Sequence, residues 1–399
     1  MGEASISRRG LLGAISAGAV ARAVGPNDRI QIGVIGTGGR GRELTRELAR
    51  LKDLNVTVTA VCDVYRPNRE AAAAFVEKAF GAKPRATTDY RELLSWKDVD
   101  AVIIATPDFS HAVILKAALE AGKDAYVEKP FATTFEDAKA AYLTAMKSSQ
   151  VVAVGTQRRS DGQFMAAAKL VRDGALGKVT RVEFCLHLHE PRWKRPPQSI
   201  DPADVDWKMF QMGRIDRPFD PSLLREWQLH APLTTNGIPG LWMSHFIDLV
   251  PWFLGDLYPA GAVSNGGVYL WKDGRTTSDV FYTLLDYPSE FLVLFSMSLT
   301  NSAGTRITWH GTRGTLDCER WVLSGEGSSA PDRIQAETKI QPEPTNSHLH
   351  NFLECIRSRQ KPRADAQAGF SHAVATIMSA EALRLGRRVR FDPHRLELL

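Results

Sequence analysis

Apolar residues in the first 160 positions recur with two alternating periods. The stretch "RIQIGVI" at 29–35 alternates and then runs apolar, as a strand does, and "RELTRELARL" at 42–51 carries apolar residues on one helical face. A second strand, "VTVTAVC" at 56–62, ends at Asp63. The alternation continues through a strand at 99–107, a helix at 112–122, a strand at 124–130, a helix at 134–149 and a strand at 151–157. Several of these strands are apolar throughout, which predicts a parallel, doubly wound α/β sheet covered on both faces.

The second half reads differently. A helix is expected at 160–175, ended by Gly174 and Gly177, followed by the strand "KVTRVEFCLHLH" at 178–189. Residues 190–240 are rich in Pro, Trp, Arg and Asp and have no period, which suits a lid or binding loop. "FYTLLDY", "EFLVLFSMSLT" and "TRITWHGTRGTLDCE" then predict antiparallel strands of a large open sheet. Two domains are expected, at 24–158 and 159–399, preceded by a segment at 1–23.

That first segment is basic at Arg8 and Arg9, apolar from Leu11 to Ala21, and ends in Ala21-Arg22-Ala23. It reads as a signal peptide, and the paired arginines resemble a twin-arginine signal. The apolar run is too short for a permanent membrane anchor. The expected location is periplasmic, or otherwise exported.

The net charge of +5 includes +2 from the residues before Val24, and basic and acidic residues are interspersed. No nucleic-acid footprint is present. Cys62, Cys185, Cys318 and Cys355 are far apart in sequence and form no C-x-x-C, so they read as buried free thiols rather than metal or redox ligands.

Chemistry enters at the first strand–helix turn, where Gly36-Thr37-Gly38-Gly39-Arg40-Gly41 forms G-x-G-x-x-G. The first glycine permits the turn, the second lets backbone approach a pyrophosphate, and the third lets helix and strand pack closely. Asp63, 22 positions after Gly41, is placed to accept from the adenosine ribose hydroxyls. Its charge favours NAD over NADP, while Arg66 nearby leaves NADP open.

"GVIGTGGRG", "ATPDFSH" and "EKP" follow one another in order, and "HLHNFLECIRSRQKPRAD" lies toward the C-terminus at 348–365. Together they resemble the Gfo/Idh/MocA family, named for glucose–fructose oxidoreductase, inositol dehydrogenase and a rhizopine-catabolism protein. The resemblance covers roughly 28–392. It implies a Rossmann domain followed by an α/β domain whose open, mostly antiparallel sheet joins copies into dimers or tetramers. It also implies action on sugars, cyclitols and their derivatives. It assigns Lys129 to the reacting hydroxyl, Glu128 and Pro130 to the nicotinamide end, and Thr106, Pro107 and His111 to the cofactor lining. Gln157 and Arg158 follow a strand end and are expected in the same crevice, Arg158 on the substrate or paired with Asp161.

On the substrate side, His187 and His189 share one strand face and are expected to meet substrate or to form a polar sheet face. No third ligand accompanies them, so no metal is expected. Trp193, Trp207 and Trp227 offer flat faces for sugar rings or for core packing. In "GLWMSHFIDLVPWFLG" the family's frequent aspartate, four residues before the histidine, is replaced by Leu241. His245 remains the expected base or relay, with Asp248 on its helix face and Trp242 beside the substrate.

The reading is an NAD(P)-dependent oxidoreductase acting on a carbohydrate hydroxyl. Export implies a tightly held cofactor, loaded in the cytoplasm and restored within each cycle. Two alternatives stand beside it: an NAD-dependent glycosidase working by transient oxidation and elimination, and a non-catalytic sugar- or cofactor-binding protein.

Overall fold

The computed structural model describes residues 28–399. The reading of residues 1–23 as an export signal lies outside them.

The first sheet contains six parallel strands: β1 (Ile30–Ile35), β2 (Val56–Cys62), β3 (Arg85–Thr87), β4 (Ala101–Ile104), β5 (Asp124–Val127) and β6 (Val152–Val154). Their order is β3-β2-β1-β4-β5-β6, so the winding reverses between β1 and β4. Between them run α1 (Gly39–Arg50), α2 (Arg66–Phe80), α3 (Tyr90–Ser95), α4 (His111–Glu120) and α5 (Phe135–Lys147). Local chemistry sets their ends. Gly81 takes φ +80° where α2 stops, and Thr134 Oγ1 accepts from the Asp137 amide to start α5. The strands around positions 99–107 and 124–130 are shorter than expected. Thr106-Pro107 and Glu128-Lys129-Pro130 lie in loops beyond β4 and β5, where a crevice opens.

The second sheet starts with β7 (Val179–His189), reached through α6 (Gly162–Arg172). Short helices α7 (Trp207–Gln211) and α8 (Pro221–Arg225) punctuate the irregular segment. A π-helical turn over Pro239–Met243 then leads into α9 (Ser244–Ile247) and α10 (Leu249–Leu254). The strands that follow are β8 (Gly261–Gly267), β9 (Val280–Tyr287), β10 (Phe291–Ser298), β11 (Thr300–Gly311), β12 (Gly314–Asp317), β13 (Val322–Ser324) and β14 (Thr338–Lys339). After α11 (His348–Ser358) and α12 (Ala366–Leu385), β15 (Val389–Asp392) and β16 (Glu397–Leu398) complete a ten-stranded sheet. Its pairs are antiparallel except β7 with β10. One face packs on helices through Phe184, Phe246, Phe253, Phe295 and Trp309. The other leaves Val263, Tyr282, Leu284 and Leu292 exposed.

The two sheets are not independent. Leu349, Phe352, Leu353 and Ile356 of α11 share a core with Tyr126, Val151 and Ala153 of the first sheet. The β6 edge is closed by the Val154 amide donating to the Ala364 carbonyl at 2.9 Å. Arg359 makes a two-pronged contact with Asp124, at 2.7 and 2.9 Å. α12 is buried on nearly every face, because it lies between the sheets, packing on both α5 and β8.

Cys62, Cys318 and Cys355 are buried and Cys185 half-buried, and all four are free thiols. Among the described residues, no helix is long and apolar enough to cross a membrane, and no cluster of three His, Cys, Asp or Glu could hold a metal.

Candidate active site

At the carboxyl ends of the first sheet lies a crevice of about 930 Å³, large enough for a dinucleotide's reactive half with a small substrate. One wall is the glycine turn. Gly36 has φ +83°, and a Cβ there would meet the Thr106 amide nitrogen at 2.6 Å. A Cβ on Gly41 would strike the Gly36 carbonyl oxygen at 1.9 Å. Gly38 instead faces open space, with only Asn68 Nδ2 within 3.8 Å of its would-be Cβ, and caps α1 without a side-chain hydrogen bond. The first amides of α1 are thus available to an anion. Thr37, Gly39 and Arg40 continue this wall.

Asp63 closes the far end. Its Oδ2 accepts from the Thr37 amide at 2.7 Å and the Thr37 hydroxyl at 3.1 Å, and its Oδ1 accepts from the Tyr65 amide at 2.9 Å. Burial pushes its carboxyl up, against these donors, which favour the ionised form. Oδ2 is thereby filled, and Oδ1 keeps a lone pair for a ribose hydroxyl. Arg66, the candidate partner for a 2′-phosphate, is paired with Asp204. These features fit a dinucleotide: close backbone approach, an uncapped helix start and a terminal carboxylate.

The nicotinamide end is built on β4 and β5. Glu128 is buried and fully engaged: Oε1 accepts from Arg40 Nε at 2.7 Å and Gln157 Nε2 at 3.0 Å, and Oε2 from the Lys129 amide at 3.2 Å. His111 is a clamp, with Nδ1 2.8 Å from the Pro130 carbonyl and Nε2 2.8 Å from the Thr106 carbonyl. It thereby ties the Thr106-Pro107 loop to the Lys129-Pro130 loop, whose peptide bond is cis. Behind them, His372 Nε2 accepts from the Phe131 amide at 3.0 Å.

Lys129 reaches across the crevice. Its Nζ donates to the Leu241 carbonyl at 2.8 Å, on the π-helical turn that leads to His245. Burial lowers the Lys129 ammonium from its ordinary range, while Asp108 and Glu128 pull it back up. The His245 imidazole is pushed well down, first by burial and then by the Lys129 and Arg158 cations, so it is neutral. Asp248 is not a substitute for the missing carboxylate. Arg159 holds it through Nε–Oδ2 at 2.8 Å and Nη2–Oδ1 at 3.0 Å.

The other expected residues fall elsewhere. Among the described residues Arg158 pairs with no carboxylate: Nη1 donates to the His245 carbonyl at 3.3 Å, and its guanidinium lies 4.2 Å from the centre of the Phe246 ring. Asp161, its expected partner, caps α6 instead. It therefore sits beneath the wall rather than in the lining. His187 and His189 are on the exposed face of the second sheet. His187 lies 3.2 Å from Ser296 Oγ, and the His189 ring lies 5.5 Å from Trp271. The strand alternation that joins the two histidines also carries them away from the crevice. Trp193 packs against the core, and Trp207 stacks on Phe210 at 4.9 Å. Trp242 lies between His245 and Arg192, at 6.0 and 4.6 Å. Trp227 does line the crevice, together with Arg195, Gln198, Arg225 and Gln228. Asp108, also in the lining, had one sequence signal: a charge directly after an apolar strand end.

Residues 30–156 match the oxidoreductase family's NAD-binding Rossmann fold, and 168–391 match its C-terminal α/β domain. An uncharacterised oxidoreductase of Schizosaccharomyces pombe is 35% identical over 314 residues, covering 71% of this chain and 76% of the relative. Glycosyl hydrolase family 109 proteins of Shewanella, such as that of strain W3-18-1, are 29% identical over 187 residues. That match covers 46% of this chain and only 40% of the relative's length. Among solved structures, levoglucosan dehydrogenase in complex with NADH superposes with a TM-score of 0.67 at 20% identity, covering 91% of this chain and 99% of that one. The WlbA dehydrogenase of Bordetella pertussis, in complex with NADH and UDP-GlcNAcA, gives a TM-score of 0.67 at 18% identity, with the same coverage. With both family segments matched in order and the glycine turn, the T-P-x-x-x-H loop and the E-K-P loop meeting in one crevice, the chain belongs to the Gfo/Idh/MocA oxidoreductase family.

Proposed function

We propose that the protein oxidises a hydroxyl of a carbohydrate, with NAD held in the crevice between the glycine turn and Lys129. The observation that carries this reading is Lys129: a half-buried amine in the loop just beyond β5, bonded across the crevice to the turn that presents His245. Bound there, the nicotinamide would supply the hydride acceptor. The chain's residues govern the rest. The α1 amides and Asp63 hold the dinucleotide, and Arg40, Gln157 and Glu128 form a fixed polar floor. Lys129 and neutral His245 flank the reacting hydroxyl and control its proton. Trp227 and the glutamines of the facing wall provide a flat face and hydrogen bonds suited to a sugar.

Export in the folded state would suit a cofactor that is retained and restored within each cycle. The bare face of the second sheet is the surface through which copies would pair.

A second reading is supported by the family 109 relatives and by Leu241 in place of an aspartate: cleavage of a glycoside by transient oxidation, elimination and return of the hydride to the same sugar. One experiment separates the two. Purified protein is incubated with a panel of D-glucose, N-acetyl-D-glucosamine, myo-inositol, D-glucuronate and their p-nitrophenyl glycosides where these exist, in deuterium oxide, and products are read by mass. Keto sugar in amounts limited by bound NAD supports oxidation. Freed p-nitrophenol, solvent deuterium in the ring of the released sugar and no net NADH support cleavage. On the reacting member of the panel, Lys129→Ala is expected to lower the rate roughly 10²–10⁴-fold. No product from any member would remove both readings.

A further inference from the structure

Three carboxyl groups line the crevice, and two are already spent. Asp63 is held by Thr37 and Tyr65, and Glu128 by Arg40, Gln157 and the Lys129 amide. The third, Asp108, is 3% exposed, and its Oδ2 is buried without a hydrogen-bond partner. It makes no ion pair within 4.0 Å among the described residues. Yet Asp108 and Lys129 are each other's strongest charge neighbours. A hydroxyl oxygen hydrogen-bonded to both would hold them about 4–5.5 Å apart, given ordinary contacts of about 2.8 Å. Both residues line the same crevice and form no direct ion pair, so one small polar group between them would serve both. An unpaired buried carboxyl is costly, and this one stands where a polar ligand would complete it.

Deepening the function proposed above, we propose that Asp108 supplies the carboxyl missing at position 241 and is the base that receives the proton of the substrate hydroxyl, while Lys129 donates a hydrogen bond to the same oxygen. The hydroxyl O–H bond breaks, its electron pair stays on the substrate oxygen, and the proton ends on Asp108 as a neutral carboxyl. The carbon-bound hydrogen leaves as hydride to the nicotinamide class of acceptor already named.

The surroundings favour this acceptor over the other two. A proton on His245 or Lys129 would create or keep a cation in a site that also contains Arg40, with Arg158 beneath its wall. A proton on Asp108 removes a buried anion. Burial pushes the Asp108 carboxyl up to about 8, with Lys129 opposing and Glu128 adding. That matches a base working near neutral pH. The groups that set its charge are Lys129 and Glu128 from the loop after β5, while His111 from α4, Arg40 from α1 and His245 from α9 line the same crevice.

Asp108→Asn keeps the shape and removes the base. On the reacting member of the panel it is expected to lower kcat by roughly 10²–10⁴-fold, with the acidic limb of the pH profile lost. A second readout needs no substrate. Oxidised nicotinamide carries a positive charge that the reduced form lacks. In wild-type protein freed of nucleotide, the ratio of NAD+ to NADH affinity should therefore rise about tenfold as pH passes upward through the Asp108 range, and stay flat in Asp108→Asn. If Asp108→Asn does not fold, the temperature dependence of that wild-type transition decides: a small ionisation enthalpy marks a carboxyl, a large one an amine or imidazole. Wild-type turnover and an unchanged pH-dependent ratio in Asp108→Asn overturn the proposal, as does a large enthalpy. A panel that gives no product with wild-type protein removes the functional reading, and the affinity ratio still decides the role of Asp108.

Discussion

On one wall of the crevice, Gly36, Gly38 and Gly41 act through what they lack, and six consecutive residues carry the pattern, with the loop after β4 closing on Gly36 at Ala105 and Thr106. On the facing wall, Leu241 on the π-helical turn and His245 on α9 are held by partners far away in sequence: Lys129 from the loop after β5, Arg158 beneath and the Arg159–Asp248 pair behind. The first wall is a local solution to binding a phosphate group. The second is assembled by tertiary contacts, so it can change its chemistry without disturbing the cofactor site. The replacement of an aspartate by Leu241 shows this freedom, since the cofactor wall retains every element of its pattern.

The sharpest way to break the second wall is Arg159→Met. Asp248 is 1% exposed in its side chain and would be left buried and unpaired. Chemical denaturation should show a loss of about 3–5 kcal/mol. Arg159→Met with Asp248→Leu should recover most of it, and a double variant no better than the single would show that the pair is not what holds this turn.

The turn joining the walls gives the next effect. Burial holds His372 at about 4, below the ordinary 6.5, and its neutral Nε2 accepts from the Phe131 amide. The unfolded chain takes up this proton first, so the contribution is complete above pH 6.5 and is lost as pH falls toward about 4. About 3 kcal/mol of stability should disappear across that window. His372→Gln should flatten that part of the stability curve, and an unchanged slope would assign it to other groups.

Gly41→Ala tests the first wall. Its Cβ cannot coexist with the Gly36 carbonyl at 1.9 Å. A cost of about 1–3 kcal/mol is expected, together with weakened NAD binding in a fluorescence titration. Retained NAD affinity would show that the turn can yield.

The smallest effect is expected outside both walls. His187→Ala should leave turnover on the reacting sugar within about twofold, because the residue faces away from the crevice. A large loss would bring the open sheet face into the reaction.

The contrast also explains what the sequence disclosed. Strand, glycine turn, helix and acid lie within 34 residues (30–63), and short-range spacing is enough to read them. The parallel sheet follows from apolar strands for the same reason. Arg158 and Arg159 are neighbours with different fates, one on a backbone carbonyl and one on Asp248, and no local pattern distinguishes them. Strand period placed His187 and His189 on one face correctly but could not say which face meets the site. Asp108 was hidden differently: it sits inside a motif whose other positions drew attention to themselves, and only burial without a partner sets it apart.

The return of α11 to the first sheet has a consequence for synthesis. Phe352 and Ile356 complete a core begun by Ile30 and Ile32, and Ala364 closes the β6 edge. A ribosome that has released the first 160 residues has therefore delivered every group that would touch NAD, but not the residues that cover the sheet beneath them. Maturation of the cofactor site waits for the last eighth of the chain. Contacts this distant in sequence make that closing step slow relative to local helix formation, so nucleotide capture is coupled to completion of the polypeptide rather than to emergence of its own domain.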